Sequence, residues 1–194
     1  MQAALVQQEN KTLFLFVGKS ASGKTTVANM LEADGYDQIS SYTTRPPRYE
    51  GEIGHTFISD EEYDKLKNIM AFTLYNGYRY CTTLEQVQEA DIYVVDPAGV
   101  QTLIDNYDLL QRKLCIIYFS ANVYNRIERM LSRHDSDTAI VGRLLQDEKT
   151  DWGNSLLDMI EDDGSCIEFR VVDANQDLNE VYFDVKKLIQ ERTR

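Results

Sequence analysis

The chain has 194 residues, 43% hydrophobic and 27% charged, the make-up of a soluble protein long enough to bury one well-filled core. Its net charge of −12 excludes a general nucleic-acid binder, which needs a basic surface. Apolar runs stop well short of the ~18 residues of a membrane span, and residues 1–10 lack the pattern of a secretory leader, so a cytoplasmic protein with no membrane contact is expected.

Residues Leu13–Val17 form an unbroken apolar run, the pattern of a strand covered on both faces of a parallel sheet. Directly behind it stands Gly18-Lys19-Ser20-Ala21-Ser22-Gly23-Lys24-Thr25, a G-x-x-x-x-G-K-[ST] loop. Its glycines let the backbone wrap so that successive N–H groups face the α/β-phosphates of a nucleotide. Lys24 then reaches the β/γ-phosphates and the Thr25 hydroxyl binds Mg²⁺. The expected ATP contacts are Gly18, Ser20, Ala21, Ser22, Gly23, Lys24, Thr25 and Thr26. A helix should run from about Lys24 to Ala33 and stop at Gly35.

Residues 36–41 predict a second short strand. Thr43-Thr44-Arg45-Pro46-Pro47-Arg48 cannot be helical, because consecutive prolines force extended backbone. Arg45 and Arg48 sit three apart on this stiffened segment, and a guanidinium fork suits phosphate. Ser41, Thr43, Thr44, Tyr78, Arg79 and Tyr80 supply the hydroxyls and rings a mononucleotide pocket uses. The plainer reading of the arginines is a solvated basic turn. Ser59-Asp60-Glu61-Glu62 is a capping box opening a helix to about Asn68, and residues 75–80 read as a hairpin or loop.

From Thr83 helix and strand alternate. A helix to Glu89 leads to a strand over 92–95 that ends in Asp96. A helix near 99–106, a strand over 114–119 and a long charged helical stretch over about 122–161, broken near 134–137, come next. A strand over 167–172 and an amphipathic helix over 177–190, capped by Asp177, close the chain. This alternation specifies an α/β fold with a mainly parallel sheet, whose ligands sit at the carboxyl ends of the strands. Residues 42–80 and the break near 134 read as insertions over that end. Arg129 and Arg133 share a helix face and, with Arg143, flank the break. A hinged flap of this kind could close arginines over a migrating phosphoryl group, whereas pairing with Glu128 and nearby acids on a solvated face is the bland alternative. Asp96 could hold Mg²⁺ through water, accept from the amino group of a base, or cap the next helix. Cys81, Cys115 and Cys166 show no C-x-x-C spacing and read as inert reduced thiols; with two histidines they make no usual zinc site.

The phosphate loop, Ser41-Tyr42-Thr43-Thr44-Arg45-Pro46-Pro47-Arg48, Gly51-Glu52-Ile53-Gly54-His55-Thr56-Phe57 and Ser59-Asp60-Glu61-Glu62-Tyr63 together resemble the guanylate kinase family. The likeness spans nearly the whole chain and is most specific over residues 13–83. It implies a P-loop three-layer core (11–41, 81–128, 164–194), a nucleoside-monophosphate-binding insertion (42–80) and a helical lid (about 129–150). It also implies transfer of the ATP γ-phosphoryl group, with Mg²⁺, to a nucleoside 5′-monophosphate by a monomer or homodimer whose partners are small nucleotides. By that resemblance Lys24, Arg45, Arg133 and Arg143 carry catalysis, and Arg129 joins the ATP contacts. Arg45, Arg48 and Tyr80 hold the acceptor phosphate, with His55 where the family has a tyrosine that touches it. Ser41 and Thr82 lie near the acceptor base, Asp96 joins the acceptor set, and Thr25 with Asp96 faces the metal.

The departures are specific. The family's guanine-reading glutamate is replaced by Ala71 ahead of Phe72, and its Asp-x-Asp is reduced to Val94-Val95-Asp96. The loop before His55 is shortened, which leaves the family's acidic role open between Glu50 and Glu52. A guanine edge without its acceptor would be buried unpaired. A second expectation is therefore a P-loop kinase for another acceptor: a deoxy or modified nucleotide, or a sugar phosphate such as ribose bisphosphate. A third is a binding module of the kind found in scaffolding proteins, which have lost the phosphate loop that this chain keeps.

Overall fold

A computed structural model describes residues 11–47, 50–75, 77–110, 112–150, 152 and 167–192. Four parallel strands form the main sheet in the order β6-β1-β7-β8. They are β1 (Leu13–Val17), β6 (Ile92–Val94), β7 (Leu114–Ser120) and β8 (Ile167–Asp173). Every residue of β1 is buried, as expected for a central strand covered on both faces.

Alternate β1 residues define the two outer layers. Leu13, Leu15 and Val17 pack with Val87 of α3 (Leu84–Glu89), Val100 and Leu103 of α4 (Pro97–Asp105) and Leu110 of α5 (Tyr107–Leu110). Phe14 and Phe16 pack the other way, against Val27, Ala28 and Leu31 of α1 (Lys24–Ala33) and Val181, Val185 and Ile189 of α8 (Leu178–Gln190). The sheet is thus the middle of three layers, and the fold is α/β and P-loop kinase-like.

A second sheet, ordered β3-β2-β5-β4, comprises β2 (Ser41–Thr43), β3 (His55–Phe57), β4 (Ile69–Tyr75) and β5 (Tyr78–Thr83). β2 pairs parallel with β3 and antiparallel with β5, and β4 and β5 form the hairpin foreseen at residues 75–80. The strand expected over 36–41 is different: only Gln38 bridges to Ile92, while the extended strand starts at Ser41 and joins the second sheet. Of residues 36–40 only Ile39 is buried, so one apolar anchor fixes the segment to the sheet edge. The helix expected to reach Asn68 is the single turn α2 (Asp60–Tyr63), opened by the foreseen Ser59 capping box. It buries Tyr63 alone, too narrow a face to hold a longer helix, and Asn68 at φ +54° lies outside helical geometry. The long helical stretch divides into α6 (Val123–Ser132) and α7 (Asp137–Lys149). His134, at φ +60°, makes the break, and Ser136 caps α7 through the Ala139 N–H. Its expected continuation past 150 falls, apart from Trp152, outside the described residues.

The amino end of the core is riveted by Arg112, which is 3% exposed. Its guanidinium donates to the carbonyls of Lys11, Thr12, Val87 and Ala90, joining the start of β1 to the last, otherwise unsatisfied carbonyls of α3. Burial lowers its pKa to about 10. Replacing Arg112 with Leu strands these carbonyls and should lower unfolding free energy by about 3 kcal/mol in urea titrations. Arg112→Lys should restore less than half, because one ammonium cannot span both groups.

Candidate active site

Strand β1 delivers the chain into the phosphate loop, and two glycines are required there. A Cβ on Gly18 would stand 2.7 Å from the Phe119 carbonyl oxygen of neighbouring β7. Gly23, at φ +103°, forms the N-cap of α1 without a side-chain bond, leaving the helix's first amides open toward the loop. Lys24 folds back across the loop: its Nζ donates to the carbonyls of Gly18 (2.5 Å) and Lys19 (3.1 Å) and to Ser22 Oγ (3.4 Å). Burial pushes the Lys24 pKa down to about 8, Asp147 works against that fall, and Arg126 adds to it. Thr25 and Thr26 are exposed at the loop's end.

Helix α6 backs the loop with one arginine face. Arg129 donates to the carbonyls of Ala21 (3.4 Å), Ser22 (3.2 Å) and Ala174 (2.7 Å). One turn earlier, buried Arg126 bonds the Asp147 carboxylate at 2.8 Å. Asp147, on α7, accepts from both the N–H and the hydroxyl of Ser20. Arg133 and Arg143 converge on the Asp135 carboxylate, at 3.2 and 3.9 Å, and Arg133 is half-exposed. A cavity of about 310 Å³ opens between Ala21, Gly23 and Thr26 of the loop side, Arg129 and Arg133 of α6, and Leu178 of α8.

A second cavity, of about 240 Å³, lies where the carboxyl end of β6 (Tyr93 to Asp96) meets Ser41, His55, Thr73, Tyr75 and Tyr80 of the second sheet. Ser41 Oγ and His55 Nδ1 are 2.9 Å apart, and the His55 ring meets Tyr80 edge-on. Arg45 is 8% exposed; its Nε donates to Tyr80 Oη (3.1 Å) and its fork holds Glu52 at 2.8 and 3.1 Å. Glu52 is therefore the acid paired with Arg45. The Asp96 carboxylate caps α4 through the Gly99 N–H (2.8 Å) and accepts from Thr73 (3.2 Å).

Other expected residues lie elsewhere. Thr82 is fully buried and donates to Gln86, outside the cavity lining. Arg48 lies outside the described residues. Ala71, 1% exposed, sits in the core and does not line this cavity. Cys81 and Cys115 are free and buried, and burial raises both thiols; Cys166 is outside the described residues. Among the described residues no cluster of three His, Cys, Asp or Glu could hold a metal, and no helix is long and apolar enough to cross a membrane. Sequence reading missed Arg126 and Asp147. Arg126 could have been found by extending the Arg129 face back one turn; nothing local distinguishes Asp147 from the other acids of its helix.

A half-buried loop whose carbonyls hold Lys24, at the end of β1, and a pocket at the end of the adjacent strand lie at one edge of this P-loop kinase-like fold. No protein-family model matches the sequence, and no curated protein matches it. The chain is similar to the crystal structure of guanylate kinase from Anaplasma phagocytophilum, at a TM-score of 0.57 and 17% identity over 95% of this chain and 87% of that one. At that identity the likeness is one of fold.

The lowered Lys24 pKa sets a pH dependence. Between about 8 and the unfolded value near 10.5, the unfolded chain binds the proton that the folded chain has lost, so this group makes stability rise with pH in that window. Lys24→Met should be more stable than wild type at pH 7.5, with the gap narrowing by pH 9.5, as read from urea unfolding of both proteins.

Proposed function

We propose that the chain is a Mg²⁺-dependent kinase that moves the γ-phosphoryl group of ATP to a nucleoside 5′-monophosphate other than GMP. The observation that carries this reading is the adjacency of two sites. β1 and β6 are hydrogen-bonded neighbours, Phe16 opposite Val94, and both run toward the same end. The phosphate loop after β1 and the Tyr80-lined cavity after β6 therefore adjoin across one edge of the sheet. Catalysis in this reading comes from positioning and electrostatics, with no dedicated general base.

Lys24 and the loop amides hold the donor phosphates, and the cavity beside Gly23 and Arg129 receives the ATP nucleoside. Residues 129–150 act as the lid over the 11–41, 81–128 and 164–194 core: with α7 still held by Asp147, the Arg133 and Arg143 side chains leave their shared Asp135 for the transferring group. Residues 42–80 form the acceptor lobe, in which Arg45, Arg48, His55 and Tyr80 hold the phosphate, and Ser41, Thr82 and Asp96 lie on the base side. Thr25, at the start of α1, and Asp96, just beyond β6, offer oxygen donors of the kind a hard cation takes. Held there, Mg²⁺ would supply neutralisation of the donor-phosphate charge. The acidic chain fits small nucleotides rather than nucleic acid as partners, in the cytoplasm, as a monomer or homodimer.

Buried Ala71 supports an acceptor other than GMP, because a guanine edge finds no carboxylate there. The same vacancy favours, as a second reading, a sugar phosphate such as ribose bisphosphate. A coupled assay of ATP consumption across ribo- and deoxynucleoside monophosphates and sugar phosphates decides among them. GMP should give kcat/KM about 100-fold or more below the best acceptor, and Lys24→Ala should cost about 10³-fold in kcat. GMP as best acceptor would remove the specificity assignment. A folded protein without ATP affinity would instead mark a binding module.

A further inference from the structure

Ser20 stands third in the phosphate loop, and both of its donors are taken by one carboxylate. Its N–H meets the Asp147 carboxylate at 3.1 and 3.2 Å and its hydroxyl meets it at 3.0 Å. The same carboxylate takes Arg126 at 2.8 Å. Asp147 is 3% exposed and Arg126 2%, and the Trp152 indole N–H fixes the Asp147 carbonyl at 2.9 Å. Arg129, one turn on along α6, holds the carbonyls of Ala21 and Ser22. Three consecutive loop residues thus hang from one helix face, the first through Asp147 and the next two directly.

A carboxylate on a loop amide is either a plug that an incoming phosphate displaces or a strut that stays. Departure of Asp147 would leave the Arg126 guanidinium dry and without its acid, a state that broken buried pairs show to be costly. Arg126 Nε already has no hydrogen-bond partner in this buried position, so little else nearby could absorb the charge. We propose that Asp147, clamped by Arg126, is the positioning residue of the phosphate loop. It holds Ser20–Ser22 in anion-receiving shape before nucleotide arrives and ties that shape to α7, the helix that carries Arg143. As a mechanism for ATP binding, this rests on the function proposed above.

The test combines amide exchange with ATP binding and turnover in wild type, Asp147→Asn and the double variant Arg126→Met/Asp147→Leu. Apolar replacement of a buried pair generally preserves stability, so the double variant separates packing from positioning. In nucleotide-free wild type the Ser20 amide should exchange at least about tenfold slower than in an unstructured peptide. In both variants that protection should fall and the ATP Kd should rise about 10- to 100-fold, while acceptor KM moves less than about threefold. A double variant with wild-type melting temperature, loop exchange and ATP affinity would reduce the pair to packing. Tighter ATP binding by Asp147→Asn would make the carboxylate a plug. An unprotected Ser20 amide in wild type refutes the strut without any variant. Loss of loop protection in a protein that never binds ATP keeps the strut and ends the nucleotide reading instead, so the two failures are distinguishable.

Discussion

A half-buried ammonium held by backbone carbonyls and a hydroxyl, rather than by a carboxylate in direct contact, is the constraint around which the molecule is arranged. Burial disfavours the charge on Lys24, and the Asp147 carboxylate partly offsets that cost. Everything nearby keeps that site open yet shaped. β1 fixes where the loop begins, Gly18 lets it pass close beneath the β7 backbone, and α6 grips its carbonyls from behind.

The distribution of ion pairs shows where, among the described residues, a chain of net charge −12 keeps cations without a full carboxylate partner. Arg79 is neutralised by Asp60 and Asp64, Arg45 by Glu52 and Arg126 by Asp147. Arg133 and Arg143 share the single carboxylate of Asp135, and Arg129 rests on carbonyls. Among the described residues, charge left uncompensated by these contacts therefore gathers around the phosphate loop and the α6–α7 break. Net charge alone therefore misleads about this region, because local field rather than net charge decides what a cleft attracts.

The legible parts of this fold were those written locally. The apolar run of β1, the glycine and lysine spacing of the loop, and the Ser59 and Asp177 capping boxes each depend on neighbours within a few residues. Pairing choices did not show. Residues 36–43 lie between two sheets, and which of them form a strand is settled by His55 and Cys81 across the ladder, not by their own pattern. β4 was hidden for a related reason: it leaves Phe72 and Leu74 exposed, so its sequence lacks the polar face that marks a surface strand. Asp96 had three possible roles, and one of them, the cap on Gly99, is now met by an observed bond. Arg126 and Asp147 lie 21 residues apart on different helices, a separation over which no local pattern operates.

Donor counting refines what Arg45 can do in the proposed acceptor lobe. A guanidinium has five N–H groups. One goes to the Tyr80 oxygen, one to the Pro46 carbonyl and two to Glu52, which leaves one for a ligand. Bidentate phosphate capture by Arg45 would require breaking a buried ion pair, an expensive exchange. Tyr80 escapes that limit: its oxygen accepts from Arg45, so its own proton remains available to the cavity it lines. Arg45 then works by orienting the Tyr80 hydroxyl and lending it positive potential, while a phosphate in the cavity would meet Tyr80 and the one remaining N–H.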